Sequence, residues 1–302
     1  MRSKGLGESA EFCSYHPFVN MLYFLLTVGI TMFSISPYFL AVTFLASWVY
    51  SILLKGKSGI KLNLVMSIAM LVIMVLINMF FNNNGETVLF YINTNRITLE
   101  AICYGVAGGI MLISVIVWFS CFNVVMTADK LIYLFGKVAP VLGLTLSMIF
   151  RFVPLLKSRF AEISLGQKCM GRGNRQGGLI MKARQLLKEI SILIAWSLEA
   201  SIESADSMEA RGYGLKGRTS FHLFKFSKRD VGMLLFLLAT GFPVAVATFK
   251  GATGMYFYPK VIMPEMNTQT ICILICYCLL LVSPIVIDIA GEIRWRQLDL
   301  KM

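Results

Sequence analysis

Two arginines that each lie beside glycine are the residues of this chain whose type and spacing best suggest a binding chemistry. Gly171-Arg172-Gly173 and Ala210-Arg211-Gly212 place the arginines 39 positions apart, and each copy follows a long stretch with helical periodicity. A guanidinium is a planar fork that can bond one carboxylate through two hydrogen bonds. Glycine just beyond a helix end adopts the left-handed conformation that closes the helix. The pattern predicts two helix ends that present arginine to acidic grooves on a protein partner.

Each copy taken alone also has an ordinary structural explanation. Arginine is favoured in the last turn of a helix because that end carries the negative pole of the helix dipole. The repetition of the pattern in two long helices is what favours the binding interpretation.

Residues typical of catalysis or metal binding are sparse. His16 and His222 are not part of an H-E-x-x-H arrangement, and the sequence has no Walker A pattern for a bound nucleotide. The seven cysteines form no C-x-x-C pair, and we interpret them as small apolar side chains. Within the predicted spans, Asp288 is a rare ionisable residue, which argues against a proton-coupled carrier. We therefore expect no catalytic residue, no metal site and no cofactor.

The elements that must position these arginines belong to a membrane protein. Of the 302 residues, 57% are hydrophobic and only 15% are charged, whereas about a quarter of the residues of a soluble domain are charged. At roughly 20 apolar residues for each helical span, the sequence predicts an all-α polytopic fold with about six transmembrane helices. We place them near 18–36, 38–54, 62–81, 101–122, 231–249 and 270–290. The first residues do not show a basic stub, an apolar core and a small-residue cleavage site in that order, as a cleaved signal peptide does. We therefore expect the first span to act as its own insertion signal.

The net charge of +12 is distributed unevenly between the two sides of these spans. All of the 28 lysines and arginines except Arg96, Lys250 and Lys260 fall on one side. Positive loops remain in the cytoplasm, which predicts that both termini are cytoplasmic. Because this bias accounts for the positive charge, we do not expect nucleic-acid binding.

The chain divides into three predicted regions. Residues 1–137 form an N-terminal block of four spans, with an external loop at 82–100 in which two short strands could pair. Residues 138–229 form a cytoplasmic region whose apolar runs are too short to span a bilayer, and residues 230–302 form a C-terminal transmembrane hairpin.

The cytoplasmic region is predicted to contain two long amphipathic helices. The segment after Pro154 should form a helix that ends at Gly171 or Gly173, and a second helix should run from about Leu179 to Arg211. The second is rich in small residues four positions apart, which let two helices approach closely. We predict that the two helices cross on the inner membrane surface at Ala200, Ser201, Ser204 and Ala205. The alternative is that these small residues merely tolerate water at the interface.

Several segments together resemble one family. The segments are Ser207 to Gly214 with Arg218-Thr219, the earlier Arg172 copy, His16-Pro17 with Asn20 and Tyr23, and Leu89 to Tyr91 with Thr98 to Ala101. Over nearly its whole length the chain resembles the transmembrane (T) component of energy-coupling factor (ECF) transporters, the EcfT/CbiQ-like family of prokaryotic importers. Gly171 departs from the family pattern, in which alanine is common, and we expect a looser helix end there.

The resemblance implies a scaffold that carries force rather than substrate. Two cytoplasmic ABC-type ATPases would bind ATP and Mg²⁺, and a membrane-embedded substrate-binding (S) subunit would select a vitamin or metal. Arg172 would dock on one ATPase and Arg211 on the other, through crossed coupling helices. ATP-driven closure would move these helices and reorient the substrate subunit within the bilayer.

Two other functions fit the composition less well. A permease subunit of a conventional ABC importer also docks on ATPases, but it should line a solute path with polar residues at the membrane midplane, and that pattern is weak. An intramembrane enzyme would require paired acids, a histidine cluster or a nucleophile motif.

Overall fold

The computed structural model describes residues 10–82, 84–92, 95–171, 178–215, 224–251, 253–258 and 267–299. Most of these residues are helical, as the sequence predicts. In chain order the elements are a 3-10 helix (Glu11–Ser14), α1 (Pro17–Phe33), α2 (Pro37–Phe81), β1 (Val88–Ile92), β2 (Asn95–Thr98), α3 (Leu99–Val125), α4 (Ala128–Val138), α5 (Pro140–Cys169), α6 (Leu179–Ala210), α7 (Lys228–Phe249) and α8 (Thr268–Asp299).

The elements form two compact units, residues 1–127 with 224–302 and residues 128–223. The two predicted membrane blocks therefore share one unit, in which α7 packs on α1 and α8, and α8 also packs on α2. α4 packs on α5 in the second unit, although the predicted boundary fell after residue 137. Gly136 and Gly143 allow this contact, because a side chain on Gly143 would collide with the backbone of Gly136.

Six described helical segments are long and apolar enough to cross a bilayer. They are Pro37–Gly56, Gly59–Phe81, Leu99–Val125, Pro140–Cys169, Lys228–Phe249 and Thr268–Leu298. Five correspond to predicted spans. The predicted span at 18–36 is instead the shorter 17-residue α1.

The sixth segment, α5, corrects the prediction that the apolar runs of 138–229 are too short to span. The apolar run that begins at Pro140 continues through Pro154 as one helix of 30 residues, so it is not divided at the proline. By length and composition this helix could span a membrane. It also carries Arg151, Lys157 and Arg159 within that length, and such charges are costly in the hydrocarbon core.

The core of the first unit is aromatic. Trp118 of α3 is fully buried. The centroid of its ring lies 6.0 Å from that of Tyr23, 6.3 Å from that of Phe24 and 5.8 Å from that of Tyr50. α3 also approaches α2 closely at Gly105, where a Cβ atom would lie 3.1 Å from the Cα atom of Val75. Small residues at helix contacts give transmembrane bundles their packing.

The two halves of α2 are joined by a turn at Gly56, whose φ is 61°. Asn63 in the second half donates to Ser51 Oγ in the first at 2.9 Å. Ser120 of α3 donates to Asn63 Oδ1 at 3.4 Å and accepts a hydrogen bond from Lys55. Asn63 thus links the two halves of α2 to each other and to α3.

The predicted strand pair in the loop 82–100 is present. β1 and β2 are antiparallel, with Val88 opposite Thr98 and Tyr91 opposite Arg96. Thr98 then caps α3 by accepting the backbone N–H of Ala101 at 3.4 Å. The hairpin therefore leads directly into the next span.

The segment before α1 is held by two buried carboxylates. Phe12 donates its backbone N–H to Asp288 Oδ1 of α8 at 2.7 Å, and His16 donates its backbone N–H to Asp230 Oδ1 of α7 at 3.0 Å. Arg229 lies 4.4 Å over the Tyr15 ring. Burial raises the pKa of the Tyr15 hydroxyl, and the positive charge of Arg229 opposes that shift. These contacts join the N-terminal segment to the start of α7 and the end of α8.

Candidate partner-docking site

The end of α6 (the α6 tip: Ala210, Arg211 and Gly212) has the geometry that the sequence predicts. Arg211 is the C-cap residue, and Gly212 follows it with φ 74°. Gly212 donates its N–H to the Glu209 carbonyl at 2.9 Å, and Tyr213 donates its N–H to the Met208 carbonyl at 3.0 Å. This pair of hydrogen bonds is a Schellman motif, which satisfies carbonyls that a helix end otherwise leaves unpaired.

The Arg211 side chain is exposed at this end. Among the described residues, its guanidinium takes part in no ion pair. The carboxylates of Glu199, Glu203 and Asp206 are also exposed along α6. A guanidinium that no described carboxylate neutralises is free to bond a partner's carboxylate.

The end of α5 (the α5 tip: Cys169, Met170 and Gly171) shows the first of the two hydrogen bonds that close the α6 tip. Met170 is its C-cap residue, Gly171 follows with φ 76°, and the Gly171 N–H donates to the Lys168 carbonyl at 3.1 Å. The helix thus ends at Cys169, before either predicted end at Gly171 or Gly173. Gly171 has the left-handed conformation that Gly212 has after α6, and the looser end expected from its departure from the family pattern stays a prediction. Arg172 and Gly173 lie outside the described residues, so their docking role stays a prediction.

α5 and α6 pack as an antiparallel pair. Gln185 Nε2 of α6 donates to Gln167 Oε1 of α5 at 3.4 Å. Farther along α6, the Trp196 ring stacks on the Phe152 ring of α5, with 6.2 Å between the ring centroids. The Arg159 guanidinium of α5 lies 5.1 Å from the centroid of the Trp196 ring. Positions along α5 therefore decrease as positions along α6 increase.

The antiparallel pairing separates the two tips. The α5 tip lies near Gln185, at the start of α6, while Arg211 lies at the far end of that helix. At 1.5 Å for each residue, the stretch of α6 from Gln185 to Arg211 is on the order of 40 Å long. One groove on one protein cannot accept both tips across such a distance.

The predicted crossing patch lies beyond the contacts just described. Ala200 is half-buried, while Ser201, Ser204 and Ala205 are exposed. The contacts between α5 and α6 that the side chains reveal run instead from Gln185 to Trp196. Helix crossing at the small residues stays a prediction, and the importance of Trp196 was missed. The available signal was that Trp196 is an aromatic residue four positions before Ala200, on a helix whose other apolar residues are mostly aliphatic.

The apolar stripe of α6 is exposed. Ile194 is 53% exposed, Leu198 61% and Ile202 64%. More than half of each side chain is therefore open to a bilayer surface or to another protein.

The comparisons with known proteins extend over both units. The sequence matches the family described as CbiQ, cobalt transport protein, over residues 15–222. The matched range includes both tips. The chain belongs to this family. It is an EcfT/CbiQ-like transmembrane component of an energy-coupling factor transporter, with several membrane-spanning helices.

Proteins named energy-coupling factor transporter transmembrane protein EcfT resemble it in sequence. The one from Lactobacillus helveticus is 34% identical over 102 residues, which are 33% of this chain and 37% of that protein. The one from Streptococcus thermophilus is 34% identical over 113 residues, 37% of this chain and 43% of that protein. The one from Acidaminococcus fermentans is 26% identical over 198 residues, 62% and 74% of the two chains. The EcfT/CbiQ-like chain thus matches about two fifths of the length of the first two relatives.

Proposed function

We propose that this EcfT/CbiQ-like chain is the scaffold and coupling subunit of an ATP-driven importer of a vitamin or metal. Two cytoplasmic ABC-type ATPases bind ATP and Mg²⁺ and dock on the second unit, and a membrane-embedded substrate-binding subunit selects the solute. The chain itself performs no hydrolysis. It lies in a prokaryotic cell membrane with both termini in the cytoplasm.

The observation that carries this proposal is the pair of similarly closed helix ends at opposite ends of α6. Gly171 and Gly212 have φ values of 76° and 74°, and about 40 Å of helix separates the positions of the two tips. A partner with two separate grooves fits this arrangement, as a pair of ATPases does. Closure of such a pair would change the distance between its grooves and so load α6 from both ends.

The exposed stripe of α6 supports the second half of the proposal. Ile194, Leu198 and Ile202 offer an apolar surface on α6, between the positions of the two tips that engage the ATPases. Burial of apolar area stabilises contact with lipid headgroup regions or with a membrane subunit. Movement of α6 would then reach the bilayer and the substrate subunit directly.

The test is co-purification of the tagged chain from native membranes, with the associated ATPases identified by mass spectrometry. Arg211→Ala should reduce the recovered ATPase, and Arg172→Ala combined with Arg211→Ala should remove it. Arg151→Ala is the matched control, because Arg151 is also an exposed arginine of the second unit but lies far from the C-terminal ends of both α5 and α6. Undiminished ATPase with the double variant, inserted and folded, would contradict the proposal.

A conventional permease remains the second candidate, and the interior of the first unit tests it. The Tyr277 hydroxyl bonds the hydroxyls of Thr43 at 2.6 Å and Thr31 at 3.1 Å, and the Tyr277 side chain is fully buried. These groups satisfy one another and are closed to solvent, whereas a solute path needs accessible polar groups. A change in substrate selectivity on Thr43→Val would favour the permease; the scaffold function predicts none.

A further inference from the structure

The turn between the two halves of α2 holds a lysine that has no counter-charge. The halves are Pro37–Gly56 and Gly59–Phe81, and Lys55 directly precedes the turn residue Gly56. Its side chain is half-buried. Among the residues that the structure describes, Lys55 takes part in no ion pair. Removing an ammonium group from water without a carboxylate beside it is costly, and an anion supplied by another molecule would relieve that cost.

The ammonium group of Lys55 is held in place by its neighbours. Lys55 donates to Ser120 Oγ of α3, and Ser120 donates in turn to Asn63 Oδ1 at 3.4 Å. The methylene stem of Lys55 lies against Gly59, where an added Cβ atom would lie 2.5 Å from Lys55 Cβ and 2.8 Å from Lys55 Cδ. An ammonium group has three donors, and the hydrogen bond to Ser120 uses one of them. The other two have no acceptor among the described residues and can serve a ligand.

A second lysine follows in the first turn of the second half of α2. Lys61 is exposed there. Residues four, seven and eleven positions later share its helix face. They are Val65, Ile68 and Val72, and all three are exposed. This face therefore begins with a positive charge and continues as an apolar stripe.

The length of the second half of α2 places its start at the level of lipid headgroups. Gly59–Phe81 has 23 residues, which at 1.5 Å for each residue is on the order of 35 Å. The hydrocarbon core of a bilayer is about 30 Å thick. A helix of this length that crosses the core has its two ends beside the headgroups. Lys61 then lies at headgroup level, and so does Lys55, because its stem packs on Gly59.

We propose that Lys55 and Lys61 bind the phosphate group of an anionic phospholipid, whose acyl chains lie along Val65, Ile68 and Val72. Lysine binds phosphate as a point charge, and basic residues beside a membrane attract anionic lipids. The exposed stripe that continues from Lys61 favours a lipid over a free phosphate ion, because it offers apolar surface to acyl chains. The site lies within the first unit and is independent of the proposed ATPase docking.

Thermal unfolding of the purified chain in detergent micelles, with single lipids added, tests the proposal. A ligand that binds the folded state raises the unfolding temperature with its concentration, so a titration gives an apparent dissociation constant. Phosphatidylglycerol is the anionic probe. Phosphatidylcholine is the comparison, because its headgroup adds a positive charge to the same phosphate. We expect phosphatidylglycerol to bind roughly tenfold more tightly, since two lysines attract its negative charge. Equal binding of the two lipids would overturn the proposal.

Substitutions of the two lysines locate the site. Lys55→Gln and Lys61→Gln should each weaken binding of phosphatidylglycerol about fivefold. Lys55→Gln keeps a donor for Ser120, and Lys61 is exposed, so both variants should unfold at nearly the unchanged temperature without lipid. If Lys55→Gln is nevertheless unstable, Lys61→Gln decides the outcome alone.

Lys228→Gln is the matched control for these variants. Lys228 is also an exposed lysine of the first unit, but it lies at the start of α7. Its substitution should leave binding of phosphatidylglycerol nearly unchanged. A loss equal to that of the other two variants would mean that net charge alone attracts the lipid, and the site at the turn of α2 would be refuted.

Two further measurements distinguish the occupant. Glycerophosphoglycerol has the headgroup of phosphatidylglycerol without acyl chains, and it should not raise the unfolding temperature where the lipid saturates. A comparable rise would assign the site to a soluble phosphate compound instead. In native membranes, the photo-crosslinking residue p-benzoylphenylalanine in place of Val65 should label lipid. A crosslink to a protein would assign this face to a membrane subunit and overturn the lipid site.

Discussion

The left-handed glycine of the α6 tip gives a sharp prediction about how Arg211 is presented. Gly212→Ala should weaken docking of the ATPases although position 212 is not itself the docking arginine. The φ of 74° at this position is disfavoured for any residue with a Cβ atom. The added Cβ atom would also lie 3.1 Å from Leu215 Cδ1, a flexible side-chain end that can move aside. Backbone strain is therefore the main effect.

The size of the effect follows from two limits. Alanine in the left-handed conformation costs about 1–2 kcal/mol. If the residue leaves that conformation, the hydrogen bonds of Gly212 and Tyr213 at 2.9 and 3.0 Å are lost, each worth about 0.5–1.5 kcal/mol net. Because this tip is exposed, we expect the free variant to relax. Docking must then restore the bent end, and a penalty of about 1–2 kcal/mol corresponds to roughly 5- to 30-fold weaker binding.

The assay is a titration of purified ATPase pair onto the chain in lipid nanodiscs. Gly212→Asn should weaken binding less than Gly212→Ala, because asparagine tolerates the left-handed region. Gly212→Val should weaken it more, because a β-branched side chain is poorly accommodated there. Gly232→Ala in α7 is the matched control. Gly232 is helical with nothing within 4 Å of its Cβ position, and alanine is the better helix former by up to about 1 kcal/mol.

One result would refute this reasoning. If Gly212→Ala bound within twofold of the unchanged chain while Arg211→Ala bound poorly, the cap would not be what presents the arginine. A loss in Gly232→Ala equal to that in Gly212→Ala would have the same consequence, because no left-handed strain arises at position 232.

Three predictions concern the first unit and are measured as thermal unfolding in detergent micelles. Asp288→Ala should lower the unfolding free energy by about 1–3 kcal/mol, because the buried N–H of Phe12 loses its acceptor; Asp288→Asn keeps an acceptor and should lose less. Gly105→Ala should destabilise by about 1–3 kcal/mol, whereas at Gly108 the nearest atom is a flexible methionine methyl at 3.7 Å, so Gly108→Ala should be neutral. Equal shifts for the two would argue against close α2–α3 packing. Tyr277→Phe should cost about 1 kcal/mol, since the two threonine hydroxyls keep their helical carbonyl partners; no shift would place this hydroxyl cluster outside the stabilising core.

Local sequence patterns were sufficient to predict several helices and strands. The second long helix was predicted from about Leu179 to Arg211, and α6 runs from Leu179 to Ala210 with Arg211 as its C-cap. The strand pair in the loop 82–100 was predicted as well. In both cases the cap glycine or the turn residues lie within a few positions of the element they end, so local rules decide the outcome.

The end of α5 shows where local rules become ambiguous. Gly171 and Gly173 flank Arg172, and either glycine could close a helix by composition alone. The hydrogen bond from the Gly171 N–H to the Lys168 carbonyl selects the first. The start of α5 was misjudged for a related reason. Pro154 was treated as a helix start, but proline lacks only one backbone donor and can lie within a long helix that other contacts support.

The contact between α5 and α6 could not be derived from periodicity. The small residues near Ala200 permit close approach without requiring it, and Ser201, Ser204 and Ala205 are exposed. Trp196 instead contacts both Phe152 and Arg159, which are far from it in sequence. A flat aromatic ring gains more from such packing than serine or alanine does, but only the fold brings its partners within reach.

The antiparallel pairing of α5 and α6 also places their two similar C-terminal ends at different positions along the helix pair. Periodicity describes each helix end by itself, and on that view the tips appear as equivalent copies. Pairing through Gln167 and Gln185 places the α5 tip beside the start of α6, so α6 extends from one tip to the other. Under the proposed function, a force applied at Arg211 would enter through the part of α6 beyond Trp196, whereas a force applied at the α5 tip would enter where α5 and α6 are already bonded. The two tips would therefore load different stretches of the helix pair.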